Sequence, residues 1–347
     1  MQLYTNSQLE AMTATEILAI TNHIQVFTPD ATETTAKWRR LRMFWHPDRN
    51  QKDPKAGDAF ARLQKLYDDA MKQIGAGIWG SSNIITFEGK NKNFSFSYHR
   101  SDEIPGFGIQ YTGKNNVCYL ISKGNEDLVK QWGENLIRLA KVRADIKERY
   151  PAQFTAKPIV ESLVDGTLVR VPKPNGFINL QHILNKRDID AKHVTWMITR
   201  LMSMSCLMFI TDTINLDICP RSVFINPITH EVYISDGWQY GTGFNKQALA
   251  APKRTLKVSP SLRLTKIPTE STLTGQIKLL AKECFRDPIG IKLGMRKDIP
   301  KQLATWLVTP STRTCIEEYE HWEKVKVDAF GKPTFLKYDI KESDIYN

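Results

Sequence analysis

The sequence predicts an α+β chain in which a small helical module precedes a larger, two-lobed domain. Three changes of pattern along the chain lead to this prediction. Apolar residues recur at helical spacing through Ile74, whereas from Ile84 onward they alternate as in antiparallel strands. From Asp190 the chain becomes apolar on nearly all faces of a helix, which indicates a buried helix. Strands followed by helices are typical of an α+β domain.

These patterns divide the chain into four expected segments. The helical module should cover residues 1–74, and the stretch "GAGIWGSSN" at 75–83 is a short linker rich in glycine and serine. Residues 84–170 should form a mainly β lobe with one helix, and residues 171–347 a mainly α lobe. The hydrophobic content of 41% is enough for ordinary packed cores.

The charge of the chain is basic and unevenly distributed. The formal net charge is +11, of which +1 arises through Ile74 and +10 after it. A basic surface of this kind favours nucleic acid or an acidic protein as a partner. A solvated basic surface without a dedicated ligand is the alternative interpretation.

Composition also excludes several classes of protein. The five cysteines form no Cys-x-x-Cys pair, so neither a zinc site nor a disulfide framework is expected. The sequence contains no run of about 18 apolar residues, so it predicts no membrane span. The N-terminus has no basic start followed by an apolar run, so no secretory signal is predicted. We therefore expect a cytoplasmic protein without a membrane partner.

The first module is predicted to contain a helical hairpin. "TATEILAI" at residues 13–20 indicates a short helix, and Thr28-Pro29 with Asp30 and Glu33 marks the start of the next. One apolar stripe on that helix should face a stripe on a partner helix. The first stripe comprises Trp38, Leu41 and Trp45, and the second Phe60, Leu63, Tyr67, Met71 and Ile74.

The tripeptide His46-Pro47-Asp48 is predicted to lie at the tip of this hairpin. Pro47 biases His46 away from helical geometry, so the first helix must end there. A histidine, a stiffened turn and a carboxylate on an exposed loop form a small, rigid recognition element. The neighbouring sequence contains no nucleophile or ligand cluster that would make it an active site.

Residues 12–74 closely resemble a J domain, the DnaJ-type co-chaperone module. The resemblance rests on "EILAI", on "WRRLRMFWHPDRN" and on "AFARLQKLYDDA". It implies docking on a DnaK-type chaperone and stimulation of its ATP hydrolysis. The residues it implies for partner binding are His46, Pro47, Asp48, Lys37, Arg39, Arg40, Arg42 and Arg49. Phe44 departs from the family, which often has a basic residue there, and no Gly/Phe-rich linker follows.

The second part of the chain resembles a known family mainly through one stretch, residues 214–241, "INLDICPRSVFINPITHEVYISDGWQYG". It pairs two short strands across a tight turn, with Asp217 before them and Asp236 at their end. This resembles the catalytic core of the protein-kinase fold. The resemblance implies that Asp217 is at the base position, Asp236 at the metal-binding aspartate and Ser222 where a metal-binding asparagine stands. The implied order is strands, one helix, strands, a buried helix, this hairpin, a loop and further helices.

Several positions depart from the kinase pattern within this core. Asn215-Leu216 replace the His-Arg pair before the base, and Gly237-Trp238 replace Phe-Gly. Gln276 lies where a later helix usually carries an anchoring aspartate. Phosphoryl transfer depends on placing all these parts together, so each replacement weakens the case for activity.

The segment at the position of the kinase phosphate-binding loop departs further from the kinase pattern. "HRSDEIPGFG" places Asp102 and Glu103 where anionic phosphates would lie, and its glycines lack GxGxxG spacing. Lys123 is the candidate phosphate-binding lysine with Glu134 as its partner. An alternative register places Leu120 at the lysine position, and an ordinary solvent-exposed lysine is the simpler interpretation of Lys123.

Taken together, the sequence predicts a J-domain co-chaperone joined to a degenerate kinase-like domain that binds a client protein. The chain resembles bacterial and phage proteins of this composition that end with a segment like "FGKPTFLKYDI". No cofactor is expected; ATP and Mg²⁺ are the candidates if the site survives.

The first alternative is an atypical kinase that uses Asp217 and Asp236. The second is a basic adaptor for nucleic acid or an acidic partner. Its cations lie between residues 237 and 269: Lys246, Lys253, Arg254, Lys257, Arg263 and Lys266. The methionines 197, 202, 204 and 208 are expected in the core, and His99, His182, His193, His230 and His321 are assigned no chemistry.

Overall fold

A computed structural model describes residues 3–20, 22–75, 79, 83–90, 93–142, 144–149, 153, 158–332 and 335–346. The chain divides into two compact units. Unit 1 comprises Met1–Ile85 with Phe96–His99, and unit 2 comprises Thr86–Ser95 with Arg100–Asn347. Each unit has its own cluster of buried apolar side chains.

In unit 1, the described residues between 3 and 75 form four helices and two short 3₁₀ turns. The helices are α1 (Asn6–Ala11), α2 (Ala14–Ala19), α3 (Ala31–Phe44) and α4 (Ala56–Gly75), and the turns are His23–Gln25 and Pro47–Arg49. Thr13 caps α2 through a reciprocal capping box with Glu16. Helix α1 was not predicted, because six residues with one buried side chain, Leu9, show no periodicity.

The predicted hairpin of α3 and α4 is confirmed. Trp38 and Leu41 are buried on α3, Trp45 is buried at its cap, and Leu63 is buried on α4. The other members of the predicted stripe on α4 are half-buried: Phe60, Tyr67, Met71 and Ile74. Leu66 is buried although it was not predicted. Trp38 stacks on Tyr67 with ring centroids 5.2 Å apart. The predicted start of α3 was two residues early. The cap is Asp30, whose carboxylate accepts the Glu33 amide hydrogen, while Glu33 accepts from the Thr28 hydroxyl.

Unit 2 begins with strands that form an antiparallel sheet. The two-stranded sheet of β1 (Asn83–Phe87) and β2 (Phe94–Tyr98) precedes it in the sequence. The five-stranded sheet has the order β3-β4-β5-β7-β6. Its strands are β3 (Arg100–Ile104), β4 (Gly108–Thr112), β5 (Asn116–Ile121), β6 (Ile159–Leu163) and β7 (Gly166–Pro172). Strand β3 was not predicted, since its residues are largely polar and it lies at the edge of the sheet.

The helix between β5 and β6 differs from the prediction. One helix was expected in this lobe, but the structure has two, α5 (Glu126–Leu139) and α6 (Ala144–Arg149). Trp132, Asn135 and Leu139 form the buried face of α5. The apolar pattern continues through Val142 and Ile146, both of which pack on the core, so periodicity alone did not reveal two helices.

The remainder of unit 2 is mainly helical. It comprises β8 (Ile178–Asn179), α7 (Leu180–Lys186), α8 (Ala191–Ile210), β9 (Val223–Asn226), β10 (Glu231–Ile234), α9 (Thr255–Val258), α10 (Leu262–Thr265), α11 (Glu270–Cys284), α12 (Lys301–Val308), α13 (Cys315–Phe330) and α14 (Glu342–Tyr346). Strands β10, β9 and β8 form a small antiparallel sheet. The elements of unit 2 follow the order that the kinase resemblance implies: strands, a helical segment, strands, a buried helix, a hairpin and further helices.

Helix α8 is the buried helix that the sequence predicted. Its four methionines, 197, 202, 204 and 208, are all buried in the core of unit 2. Among the described helices it alone is long and apolar enough to cross a membrane by length and composition. However, 61% of that window is buried inside unit 2, as is usual for the core helix of a folded domain.

Candidate functional site

The tip of unit 1 holds His46, Pro47 and Asp48 in one turn. Helix α3 ends at Phe44, His46 takes the extended conformation that a following proline favours, and Pro47–Arg49 form a 3₁₀ turn. The Asp48 amide donates to the His46 Nδ1 over 3.3 Å. The Asn50 side-chain amide donates to the carbonyl oxygens of Phe44 and His46 at 2.8 and 3.1 Å. These bonds fix the turn while the Asp48 side chain stays 83% exposed.

Only some of the predicted basic residues are free to meet a partner. The Lys37 ammonium donates to the Tyr4 carbonyl oxygen, and burial lowers the pKa of Lys37. Arg40 binds Glu10, with a 2.9 Å bond from its Nη2 to the carboxylate. Arg39, Arg42 and Arg49 are exposed and have no acidic partner among the described residues. Lys37 and Arg40 are therefore engaged within the fold. Of the expected basic residues on α3 and at the tip, Arg39, Arg42 and Arg49 are left exposed for a partner.

Two exposed apolar residues next to the tip were not selected from the sequence. Met43 is 60% exposed and Phe44 is 42% exposed, at the end of α3. The sequence singled out Phe44 only as a departure from the family. Its exposure beside His46 gives the tip an apolar edge, whereas Trp45 points inward and donates from its indole to the Leu9 carbonyl oxygen.

In unit 2, Asp217 and Asp236 lie together as predicted, but an arginine stands between them. Arg221 donates from Nη2 to Asp217 Oδ2 at 2.5 Å and from Nη1 to Asp236 Oδ2 at 2.6 Å. Asp217 is 5% exposed and Asp236 is fully buried. One guanidinium thus bridges two buried carboxylates, which leaves the cluster with a formal charge of −1.

Burial and charge act against each other in this cluster. Burial raises the pKa of Asp236, and the positive charge of Arg221 opposes that shift. Burial alone would lower the pKa of Arg221, but Asp236, Cys219 and Asp217 together raise it well above its usual value. The guanidinium therefore stays charged, and it compensates the charge of one of the two carboxylates.

The loop that carries Asp217 is held by side chains from three directions. Ser222 donates from its hydroxyl to the Asp217 carbonyl oxygen at 2.6 Å and accepts from the Cys219 amide. Asn215 accepts from the Asp217 amide and donates to the Asp236 carbonyl oxygen. Gln276 of α11 accepts from the Ile218 amide at 3.0 Å, so it anchors the loop from the position predicted for an aspartate.

The five-stranded sheet closes onto this loop through β4 and β5. Gln110 of β4 accepts from Arg221 Nη1 at 3.0 Å. Tyr119, directly across the ladder from Gln110, donates from its hydroxyl to Ser235 Oγ at 2.8 Å. Burial and the nearby charge of Asp236 raise the pKa of Tyr119, which stays neutral. A tyrosine on β5 therefore points at Asp236.

The prediction for Lys123 and Glu134 is wrong. Lys123 follows β5 and binds Asp165 at 2.8 Å, with both side chains largely in solvent. Glu134 is exposed on α5, whereas the neighbouring Asn135 is buried and donates to the Trp238 carbonyl oxygen. Leu120 does not occupy the lysine position either, since it is only half-buried beside the fully buried Tyr119.

The predicted phosphate loop is a hairpin turn folded inward. Phe107 is buried, with its ring centroid 5.8 Å from Tyr240 and 6.4 Å from Trp132. Gly108 cannot carry a side chain, because a Cβ there would lie 2.0 Å from the Leu120 carbonyl oxygen. Asp102 binds His182 Nε2 at 2.7 Å. His182, which was assigned no chemistry, thus links β3 to α7.

The basic segment between Gly237 and Thr269 is ordered, and two of its six cations are used within the fold. Arg254 is half-buried and binds Glu283 of α11, and Lys246 binds Asp212 at 3.1 Å. The other four, Lys253, Lys257, Arg263 and Lys266, are exposed and lack an acidic partner in the part of the chain that the structure describes.

A magnesium ion does not fit this site. Its two candidate carboxylates already bind Arg221, and the Ser222 hydroxyl is engaged by backbone groups. One oxygen, Asp236 Oδ1, accepts no hydrogen bond within the described residues, but one ligand does not hold Mg²⁺. No cluster of three or more His, Cys, Asp or Glu side chains suited to a metal occurs in the described ranges.

No protein-family model and no curated protein matches the chain. Among solved structures it is similar to ROP2 from Toxoplasma gondii, described as a virulence factor with a protein-kinase fold and no enzymatic activity. The sequence identity is 11%, the match covers 76% of this chain and 89% of that chain, and the TM-score is 0.47. A match at this level concerns the fold alone, and no argument below depends on it.

Proposed function

We propose that the chain is a J-domain co-chaperone whose second unit is a kinase-like domain that binds proteins and does not transfer phosphate. Unit 1 would dock on a DnaK-type chaperone in the cytoplasm and stimulate its ATPase. The observation that carries this proposal is the tip of unit 1. His46, Pro47 and Asp48 form one exposed turn between two packed helices.

The chemistry of the tip favours docking over catalysis. His46 lies edge-on to Phe60 of α4, with centroids 5.8 Å apart, so the tip is held against the hairpin. Arg39, Arg42 and Arg49 would attract an acidic chaperone surface and speed the encounter. The tripeptide would then favour one state of the chaperone by binding it better than the other.

The experiment is a steady-state ATPase assay of a DnaK-type chaperone with the full-length protein. We expect wild type to stimulate ATP turnover and His46→Gln and Asp48→Asn each to abolish the stimulation. Asp69→Asn, a matched change at an exposed site of α4, should leave it unchanged. Absent stimulation by wild type, or equal stimulation by all four proteins, would refute the proposal.

The same site geometry argues against the alternative of an atypical kinase. Phosphoryl transfer requires a lysine on the phosphates and metal-binding side chains. Lys123, the candidate lysine, binds Asp165, and Arg221 binds both aspartates. Unit 2 would therefore act through its surface.

The basic-adaptor alternative has a specific observation in its favour, and it agrees with a client-binding role for unit 2. Four cations of the 237–269 segment, Lys253, Lys257, Arg263 and Lys266, are exposed together without acids in that segment. An acidic client would be attracted to them. Binding of a poly-glutamate peptide to the full chain should weaken steeply with salt and should be lost when all four cations are replaced by glutamine. Salt-independent binding would contradict this role.

A further inference from the structure

An apolar cavity of about 410 Å³ lies in unit 2 between α5 and the strands β6 and β7. Its walls are mainly aliphatic, from Val129, Leu136, Ile137, Val160 and Val169. Ile137 and Val160 are each more than half exposed. Volumes of 300–1,000 Å³ with mostly apolar walls are typical of small-molecule sites.

A glycine in the wall helps to keep this space open. Gly133 lies in the interior of α5, where glycine costs about 1 kcal/mol relative to alanine. No atom lies within 4 Å of the position where its Cβ would stand, and its backbone is not in the left-handed region. Backbone geometry therefore does not require this glycine, and a larger side chain would enter the cavity.

Three side chains with polar groups line the cavity: Trp132, Lys147 and Gln153, whose amide is bonded to the backbone of Ile234. Trp132 lines it, is 1% exposed, and its indole Nε1 has no acceptor among the described residues. Lys147 of α6 stands at the rim, exposed and without a carboxylate partner in the described ranges. The indole nitrogen is closed off from solvent, so the ammonium of Lys147 is the polar group that a ligand in the cavity can reach. An ammonium favours an anionic acceptor and is complementary to a ligand carboxylate.

We propose that this cavity binds a small amphiphile with an apolar body and one carboxylate, of the size of a medium-chain fatty acid. The chain of the ligand would cover the aliphatic walls and gain about 0.8 kcal/mol for each buried methylene. Its carboxylate would meet Lys147. This inference is independent of the co-chaperone proposal, since it concerns residues far in sequence from the tip of unit 1.

The probe is dodecanoate, titrated into the full-length protein by calorimetry below its micelle concentration, with dodecanol as the uncharged comparison. We expect saturable one-to-one binding of dodecanoate to wild type. Gly133→Phe should fill the cavity and abolish it. Gly57→Phe is the matched control, since Gly57 lies on α4 and also has open space around its Cβ position. It should bind as wild type does.

Lys147→Gln tests the predicted head group. An exposed ion pair contributes up to about 1 kcal/mol, so the affinity for dodecanoate should fall about two- to fivefold while that for dodecanol stays unchanged. Circular dichroism and the melting temperature establish that each variant is folded. The proposal is overturned if wild type does not bind dodecanoate, if folded Gly133→Phe binds it unchanged, or if Lys147→Gln affects neither ligand.

Discussion

Arg221 is the residue on which the chemistry of unit 2 depends. Its guanidinium reaches Asp217 on one side, Asp236 on the other, and Gln110 on the sheet above. Buried ion pairs add little net stability compared with apolar residues, but removal of one partner is costly because the other charges stay buried. The main effect of removing Arg221 would therefore come from the two buried carboxylates that are left without a cation.

Replacement of Arg221 by methionine should expose this dependence. The variant Arg221→Met leaves two carboxylates close together without a cation, so the free energy of unfolding should fall by about 3–5 kcal/mol. Mg²⁺ should then raise the melting temperature of the variant, because a divalent ion can replace the lost charge. Wild type should show no melting shift with Mg²⁺ and ATP.

Lys123→Met is the control for this measurement. Its bond to Asp165 is exposed at both ends, and such pairs contribute less than about 1 kcal/mol. A large Mg²⁺- and ATP-dependent shift in wild type would contradict the assignment of Arg221 as the resident cation of the site.

The resemblance to the kinase core implied that Asp217 and Asp236 belong to one site. Arg221 was missed because its role depends on the direction in which its side chain points, and a sequence pattern does not indicate that direction. Its one signal is a cation four residues after Asp217, inside a loop expected to carry carboxylates. Lys123 was misplaced because β5 ends at Ile121, so the inward alternation of Val117, Tyr119 and Ile121 does not extend to Lys123.

Among the elements, the C-terminal segment from Phe335 to Tyr346 best shows what a sequence pattern leaves out. Three histidines that were assigned no chemistry each contact one aromatic residue of this segment: His230 stacks on Phe335, His193 packs at a tilt against Tyr338, and His182 lies edge-on to Tyr346. The segment thus runs across unit 2 to the start of α7. Such contacts join residues more than 100 positions apart, so local patterns cannot predict them.

An ion pair fixes the end of this segment. Lys173 is fully buried, donates to the Phe177 carbonyl oxygen and binds Glu342 at 2.9 Å. Burial lowers the pKa of Lys173, and Glu342 opposes that shift. Glu342→Gln should lower the free energy of unfolding by about 1.5–3 kcal/mol, the range for a hydrogen bond to a charged group.

The matched substitution is Asp339→Asn in the same segment. Its partner Lys337 lies 3.5 Å away, and both side chains are more than three-quarters exposed. Chemical denaturation should show a change of less than about 1 kcal/mol. Equal effects of Glu342→Gln and Asp339→Asn would mean that the burial of Lys173 does not matter.

At the scale of the whole molecule, the chain contains two separate apolar cores. Leu63 belongs to the core of unit 1 and Ile277 to the core of unit 2, and both are fully buried. The α3–α4 hairpin was predictable because its stripes have a regular period. The edge strand β3 was not, because an edge strand can be polar on both faces.

Two cores imply that each unit can be destabilised on its own. Replacement of a buried leucine or isoleucine by alanine costs about 2–5 kcal/mol. We expect calorimetry to show that Leu63→Ala lowers one thermal transition and Ile277→Ala lowers another. A single transition that both variants shift equally would show that the units unfold together.

The position of Arg221 in the chain has a consequence for how unit 2 responds to its surroundings. A dissolved metal ion binds according to its concentration, and chelators or competing ligands can remove it. A tethered guanidinium is always present at one per site and at a very high effective concentration. The charge balance between Asp217 and Asp236 is therefore independent of the ion content of the cell, and the loop and the sheet stay joined whether magnesium is abundant or scarce.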